Sequence, residues 1–298
     1  MRPAPRPRFS GHESFACRFT WLPKAVRLIE ADPSALCSDD EAILRLGLGK
    51  NMVRSIRFWL EAFEIAALEN GSWSLLPFGQ EVLASRGFDP FIERIETQWL
   101  LHWMLTSKAD APLFAWRHVF GRRSRPDFTR SELLAELRRE SAEQGFEHSD
   151  VTLLQHIDVL LHTYVASSGH AAPEDVLDGP LVDLRLLSTD GRRCGSDGRT
   201  ETVYVLSATA IADVGPRVVD FTVADFCVRW RSEDSMVSLR DLAYAEGSPG
   251  SAFRLSIDEL QDHVEAAAGQ FDYRASADAG AILTIGARPL LQLAGIYA

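Results

Sequence analysis

The sequence predicts a mainly α protein with small β hairpins, an α+β fold in which two to three similar units follow one another. Three local patterns support this prediction. Capping boxes of the form Ser/Thr-x-x-Glu begin at Ser38, Thr129 and Ser256. Apolar residues at helical spacing surround each box, and two strand-like runs come after. A helix, a turn, a second helix and a hairpin in this order make a winged-helix-like unit.

The first unit is the most clearly marked. Ser38 and Glu41 predict a helix over residues 39–46, and the glycines of Gly47-Leu48-Gly49 predict a turn. A second helix follows, and Asn70-Gly71 predicts a hairpin turn after it. The apolar stripe of the second helix consists of Met52, Ile56, Trp59, Leu60 and Phe63.

The polar face of this second helix is the candidate DNA-binding site. Lys50, Asn51, Arg54 and Arg57 lie largely off the apolar stripe, in the half of the helix that meets DNA in helix-turn-helix proteins. A phosphate-binding loop is excluded, because Ser or Thr must follow the lysine and Asn51 stands there. A winged helix used for protein contacts remains the alternative.

The second unit has a less regular hairpin. Residues 181–187 and 202–206 are predicted strands, and the polar, glycine-rich stretch between them is predicted to be a long flexible wing. Its Arg192, Arg193 and Arg199 are candidates for phosphate contacts, and a surface loop without a role is the alternative.

The third unit runs through the helix at Ser256 to a hairpin around residues 278–280. The corresponding domains are 1–90 (arm and first winged helix), 91–215 (helical middle domain with the second unit) and 216–298 (third unit). Trp99, Leu100 and Trp103 in the middle domain are expected to pack in a core.

Two segments are candidates for catalytic chemistry. His12, Glu13, Arg18 and Lys24 stand among aromatic residues near the start of the chain, and a His-Glu pair suits acid/base work or metal binding. The alternative is that this arm docks on the body through its aromatic side chains. Glu174 and Asp175 form the second candidate, because carboxylates suit Mg²⁺, although such runs are common in solvated loops.

Composition limits the class of protein. The net charge of −11 means that DNA binding requires segregated positive charge, and residues 1–57 carry ten Lys/Arg against six Asp/Glu. No apolar run is long enough to cross a membrane, and the basic N-terminus has no apolar core typical of a secretory signal. The four cysteines show no CxxC spacing. A cytoplasmic protein without a membrane partner is expected.

Five segments together resemble a bacterial family first catalogued as a domain of unknown function. They are "FSGHESFACRFTWLPKA", "LGLGKNMVRSIRFWLEAF", "QWLLHWML", "LDGPLVDLRLL" and "YAEGSPGSAFRL", in that order over almost the whole chain. Members of the family belong to DNA phosphorothioation systems of phage defence, and the resemblance is strongest to the subunits that nick DNA.

The resemblance implies a DNA-nicking endonuclease that uses Mg²⁺ or Mn²⁺ and opens the backbone for modification. It implies DNA, a cysteine desulfurase, an ATPase and a sulfate-reductase-like enzyme as partners. It does not identify the residues that cut. The matched stretches carry over only candidates, which are His12, Glu13, Arg18 and Lys24 in the arm for catalysis and Lys50, Asn51, Arg54 and Arg57 for DNA binding. The alternatives are an inert winged-helix adaptor that recruits the sulfur-transfer enzymes and a winged-helix transcription regulator.

Overall fold

The protein forms two compact units, each made from separate stretches of chain. The computed structural model describes residues 6–146, 148–166, 179–195, 198–231, 236–267, 271–274, 281–283 and 289–298. These compact units are not the winged-helix-like units predicted from the sequence, and from here on "unit" means a compact unit. The first unit comprises Arg8–Gln98 and Ser124–Ser207. The second comprises Met1–Pro7, Trp99–Arg123 and Ala208–Ala298. The predicted boundaries at residues 90 and 215 give contiguous domains instead, and that division stays a prediction.

The described residues form helices and short antiparallel strands, which confirms the α+β class. The helices are α1 (Trp21–Ala31), α2 (Asp39–Leu46), α3 (Lys50–Ala62), α4 (Ile95–Thr106), α5 (Phe114–Gly121), α6 (Arg130–Glu143), α7 (Asp150–Tyr164), α8 (Ile211–Val214), α9 (Pro216–Trp230), α10 (Leu239–Tyr244), α11 (Pro249–Phe253), α12 (Ile257–Ala266) and α13 (Pro289–Tyr297). The strands are β1 (Ala66–Glu69), β2 (Ser72–Leu75), β3 (Asp127–Thr129), β4 (Leu187–Cys194), β5 (Thr200–Leu206), β6 (Met236–Ser238), β7 (Asp272–Arg274) and β8 (Ala281–Leu283).

The first helix pair and hairpin form where the sequence predicts them. Ser38 Oγ accepts the Glu41 amide at 3.4 Å and caps α2, which ends at Gly47 in the left-handed conformation. Strands β1 and β2 pair antiparallel around Asn70 and Gly71, whose φ values of 51° and 81° suit a tight hairpin turn.

The second helix pair also begins as predicted. The Thr129 side chain caps α6, and Glu132 Oε2 accepts the Thr129 amide at 2.8 Å, which completes the capping box. The same threonine ends β3, so one residue closes a strand and opens a helix. The sheet order is β3-β5-β4, with both pairs antiparallel.

The predicted strand over residues 181–187 is wrong, and the polar stretch after it, predicted as a long flexible wing, is in large part a paired strand. Residues 182–184 form a single 3-10 turn, and β4 runs through the polar stretch as far as Cys194. The pairing register shifts between Thr189 and Arg192, and Gly191 lies in the resulting bulge. Hydrogen bonding to β5 stabilises this polar strand although its exposed side chains lack an apolar pattern, so sequence periodicity does not reveal it.

The second unit has a core built on the aromatic residues of α4. Trp99, Leu100 and Trp103 are buried, as predicted. Their polar atoms are satisfied, because Trp99 Nε1 donates to the Asp213 carbonyl at 3.0 Å and Trp103 Nε1 donates to Asp225 Oδ2 at 2.8 Å.

The strands of the second unit repeat the order seen in the first. Strand β6 leads into Ser238, which caps α10, and the sheet order is β6-β8-β7. The predicted capping box at Ser256 is present and opens α12. The predicted turn at 278–280 lies outside the described residues, while β7 and β8 pair antiparallel on either side of it.

Gly79 fixes the exit of the first hairpin. A Cβ atom at this position would lie 2.1 Å from the Ile65 carbonyl oxygen, which accepts the Leu76 amide at 2.9 Å. We expect Gly79→Ala to lower the free energy of unfolding by roughly 1–3 kcal/mol, because the backbone must move apart. Urea denaturation measures this change.

Gly295→Ala is the control for this substitution. Gly295 lies in α13, and the nearest atom to an added Cβ is Arg217 Nη1 at 3.9 Å. Alanine there should leave stability unchanged or raise it by up to about 1 kcal/mol, because alanine favours helix. Equal effects of the two substitutions would contradict the close contact at Gly79.

Candidate nucleic-acid interface

Helix α3 has one buried face and one cationic face. The buried face includes Val53, Ile56, Trp59 and Leu60. Met52 is only half-buried, and the neighbouring Val53 is buried in its place. The buried stripe is therefore as predicted except at Met52. The side chains that reach solvent from the first turns are Lys50, Asn51 and Arg54.

Asp39, the first residue of α2, lies within ion-pair distance of three cations of α3. Its carboxylate lies 2.6 Å from Arg57 Nη1, 3.4 Å from Lys50 Nζ and 3.6 Å from Arg54 Nη2. The hydrogen bond from Arg57, assisted by Lys50, lowers the pKa of Asp39. One carboxylate thus faces three cations, and the surface keeps a positive charge.

Arg57 differs from the other cations of this face. Its side chain is 20% exposed, against 57% for Lys50 and 43% for Arg54. Besides the ion pair with Asp39, its Nε donates to the Leu36 carbonyl at 2.6 Å. Arg57 therefore holds the segment before α2 against α3. Lys50, Asn51 and Arg54 remain the main candidates for DNA binding on this helix.

The second helices of the other two segments carry no such face. Neither α7 nor α12 contains a lysine or an arginine. The exposed side chains of α12 include Asp258, Asp262 and Glu265. Among these three helices, α3 is the one whose surface matches a polyanion.

The arginines of β4 are held by neighbouring residues. Arg193 forms ion pairs with Asp127 and Glu132, and these two carboxylates raise its pKa. Arg192 Nη2 donates to the Thr200 carbonyl at 2.9 Å. Arg199 is exposed just before β5. A phosphate contact by any of the three stays a prediction, and for Arg193 it requires competition with two carboxylates.

His12 of the arm is buried and faces a second histidine. Its Nδ1 accepts the Ser14 amide at 3.2 Å, so the proton lies on Nε2, which is 3.1 Å from His156 Nδ1. The rings stack with centroids 5.4 Å apart. Burial lowers the pKa of His12 to about 4, and burial with the neighbouring His12 and His148 lowers the pKa of His156 well below its usual value.

The rest of the arm docks on α3 through its aromatic residues and backbone, the alternative that the sequence left open. The Phe15 carbonyl accepts Trp59 Nε1 at 3.0 Å. Arg8 lies 4.5 Å from the Phe58 ring centroid and 3.2 Å from Glu61. The arm is therefore a packed part of the first unit.

The remaining predicted catalytic residues lie in different settings. Glu13 is exposed on a turn with φ 49°. Arg18 lies over the Trp21 ring at 5.6 Å, and Lys24 is exposed on α1. Both ring nitrogens of His12 are engaged with Ser14 and His156, so the predicted His12–Glu13 acid/base pair is not formed by these contacts.

Glu13 does not lie in a cluster of candidate metal-binding side chains. No group of three or more His, Cys, Asp or Glu side chains lies together within the described ranges. Mg²⁺ takes an octahedral set of oxygen ligands, of which a protein often supplies only one or two carboxylates. Glu174 and Asp175 lie outside the described ranges.

Sequence reasoning missed two residues that organise the site. His156 stands 144 residues from His12, and no spacing rule joins them. Asp39 lies in the first turn of α2, where acidic residues stabilise a helix N-terminus in general. Its second role, as the carboxylate that pairs with the cations of α3, therefore has no separate signal in the sequence.

Comparisons with known proteins agree with this architecture. A family model described as "Protein of unknown function (DUF4007)" matches residues 9–288. No curated protein matches the chain. A magnesium ion-bound crystal structure of SspB is similar with a TM-score of 0.80 and 24% identity, over 94% of this chain and 84% of that chain. A second SspB crystal structure has a TM-score of 0.77 at the same identity and coverage. The likeness shows a shared fold.

No helix in the described part of the chain is both long and apolar enough to cross a membrane.

Acid should weaken the fold through the histidine pair. His12 has a pKa of about 4 in the fold against 6.5 for an ordinary histidine, so its contribution is complete above pH 6.5 and is lost as pH falls toward 4. Between pH 7 and pH 5 this loss is about 2 kcal/mol. Urea denaturation at both pH values, in wild type and His12→Gln, measures it, and the variant should lose less.

The exposed His162 provides the control. His162→Gln should keep the pH dependence of the wild type. An identical pH dependence in wild type and His12→Gln would contradict the neutral buried pair. His102, with a pKa lowered by burial to about 4, contributes to all of these proteins alike.

Proposed function

The chain belongs to the DUF4007 family, and on that premise we propose that it is a DNA-binding subunit of a bacterial DNA phosphorothioation system, where it takes part in nicking. Two findings support the placement in this system: the resemblance of five sequence segments to that group of proteins, and the shared fold with SspB. The observation that carries DNA binding is the cationic face of α3.

In this proposal α2, the glycine turn and α3 act as a helix-turn-helix, and the β1–β2 hairpin acts as the wing. The order of these elements along the chain supports the proposal. The order β3-β5-β4, with β3 before the helix pair and β4 and β5 after it, supports a similar interpretation of the second segment. The order β6-β8-β7 supports it for the third.

Charge decides which of these three segments faces DNA. Lys50, Asn51 and Arg54 present donors at the start of α3, where base edges and phosphates are reached in a recognition helix. The exposed carboxylates of α12 would repel a phosphate backbone. We assign DNA to α2 and α3, and leave the surfaces of α7 and α12 to protein partners, for which the cysteine desulfurase, the ATPase and the sulfate-reductase-like enzyme are candidates.

Nicking is the finer part of the proposal. It is supported by the resemblance to nicking subunits and by the magnesium ion in one SspB structure. Glu13 belongs to no group of three or more His, Cys, Asp or Glu side chains among the described residues, so no catalytic step is assigned to it. An inert adaptor that binds DNA and recruits the sulfur-transfer enzymes uses the same α3 face, and so does a transcription regulator.

The role of α3 is tested with matched arginines. Arg54 and Arg45 have nearly equal exposures, 43% and 42%, but Arg45 lies in α2 and pairs with Glu41. We expect Lys50→Ala/Arg54→Ala to weaken duplex binding and to flatten the dependence of log K on log salt by about 0.9 for each lost phosphate contact. Fluorescence anisotropy at several salt concentrations measures both.

Arg45→Ala should leave affinity and salt dependence nearly unchanged, whereas Arg57→Ala should lower the melting temperature because its guanidinium holds Leu36 and Asp39. Wild-type binding by a folded Lys50→Ala/Arg54→Ala protein would remove α3 from the interface.

A plasmid assay separates the nicking protein from the adaptor. We expect the wild type to convert supercoiled plasmid to open circles with Mg²⁺ and not with EDTA. If Glu13 is catalytic, Glu13→Gln should retain DNA binding and lose nicking on the order of a hundredfold. Glu174→Gln/Asp175→Asn tests the second candidate in the same way.

Full nicking by both variants would reject both candidate sites. Absence of nicking by a wild-type protein that binds DNA would favour the adaptor. Circular dichroism on each variant separates a lost catalytic group from a lost fold.

A further inference from the structure

Two helix ends in the second unit bring arginines together. Arg122 and Arg123 directly follow α5, and Arg254 directly follows α11. Ser251 Oγ donates to the Phe120 carbonyl at 2.6 Å, which holds these helix ends side by side. Arg122, Arg123 and Arg254 therefore form a cationic cluster on the second unit.

Glu246 neutralises one part of this cluster. Its Oε2 accepts Arg117 Nη2 at 3.0 Å and Arg122 Nε at 3.1 Å. The carboxylate is thus shared by two guanidinium groups and is committed to them. Neither of these two contacts of the Glu246 carboxylate involves Arg254.

Arg254 is half-buried, and one of its donors has no partner among the described residues. Its Nε is buried and has no hydrogen-bond partner among the described residues. Burial, with the like charge of Arg123, lowers the pKa of Arg254. A guanidinium beside a second one, partly removed from water, calls for an anion.

The backbone at Arg254 points the same way. Its φ of 57° and ψ of 39° are left-handed, and the Leu255 amide donates to the Gly250 carbonyl at 3.1 Å to end α11. Glycine takes this conformation without steric cost, and arginine does not. The backbone conformation therefore does not explain why arginine stands at position 254, and the reason must lie in its side chain.

We propose that Arg254, with Arg123 beside it, binds a phosphate group. A phosphate at the half-buried Arg254 side chain supplies a counter-charge, and its oxygens match the guanidinium fork. That the phosphate belongs to a DNA backbone rests on the proposed function, whereas the chemistry of the site does not. The second unit then contributes a phosphate contact of its own.

A pair of arginine-to-glycine variants tests the site. Arg185 has the same left-handed backbone, with φ 51°, and is exposed after the 3-10 turn in the first unit. Arg254→Gly and Arg185→Gly therefore make the same chemical change in the same conformation. Neither should lower the melting temperature in chloride buffer, because glycine relieves the backbone at both positions.

Inorganic phosphate at constant ionic strength is the first probe. It should raise the melting temperature of the wild type and of Arg185→Gly by roughly 2–4 °C, because a ligand of the folded state stabilises it. Arg254→Gly should lose this rise. An equal rise in all three proteins would overturn the proposal, and so would a clear destabilisation of Arg254→Gly in chloride, which would make the side chain structural.

A DNA duplex is the second probe and identifies the source of the phosphate. If it is the DNA backbone, Arg254→Gly should flatten the salt dependence by about 0.9, additively with the Lys50→Ala/Arg54→Ala change. Loss of the phosphate effect without any change in DNA binding supports the site and assigns it to a free phosphate. A wild type that binds phosphate through Arg254 but binds no DNA refutes the proposed function and leaves this inference standing.

Discussion

The first unit depends on residues 8–15 of the arm, which pack against two helices distant in sequence. The arm reaches α3 through Arg8, His12 and Phe15, which contact Phe58, Glu61 and Trp59. It reaches α7 through the contact of His12 with His156. The charged and polar groups that face solvent on α3 are therefore presented by a helix whose inner side is fixed by the start of the chain.

Local chemistry explains which parts of this fold the sequence predicts. The caps at Ser38, Thr129 and Ser256 and the turn at Asn70-Gly71 each depend on a few neighbouring residues, so each is visible before folding. The parts that sequence reasoning missed depend on distant partners. Strand β4 is set by pairing with β5, the inward turn of Arg57 by the Leu36 carbonyl, and the environment of His12 by His156.

The same contrast holds for the candidate site. The identity of the cations on α3 follows from helical spacing, because an amphipathic helix leaves its polar residues outside. Their strength as ligands does not follow from spacing. Arg57 and Arg193 are both arginines in predicted phosphate-binding stretches, yet each is already bound to carboxylates of the fold. A count of positive charges therefore overstates the cationic surface that a partner meets.

Asp39 gives α3 a resident counterion. In solution Lys50, Arg54 and Arg57 share its carboxylate, so fewer small ions need to gather around this face in the free protein. A phosphate that docks here takes the place of a carboxylate as much as that of dissolved anions. The cations condensed on DNA are still released, but Lys50 and Arg54 give up their contacts with Asp39, which lowers the net gain in free energy. The face favours a ligand that offers several phosphates at fixed spacing over one that offers a single charge.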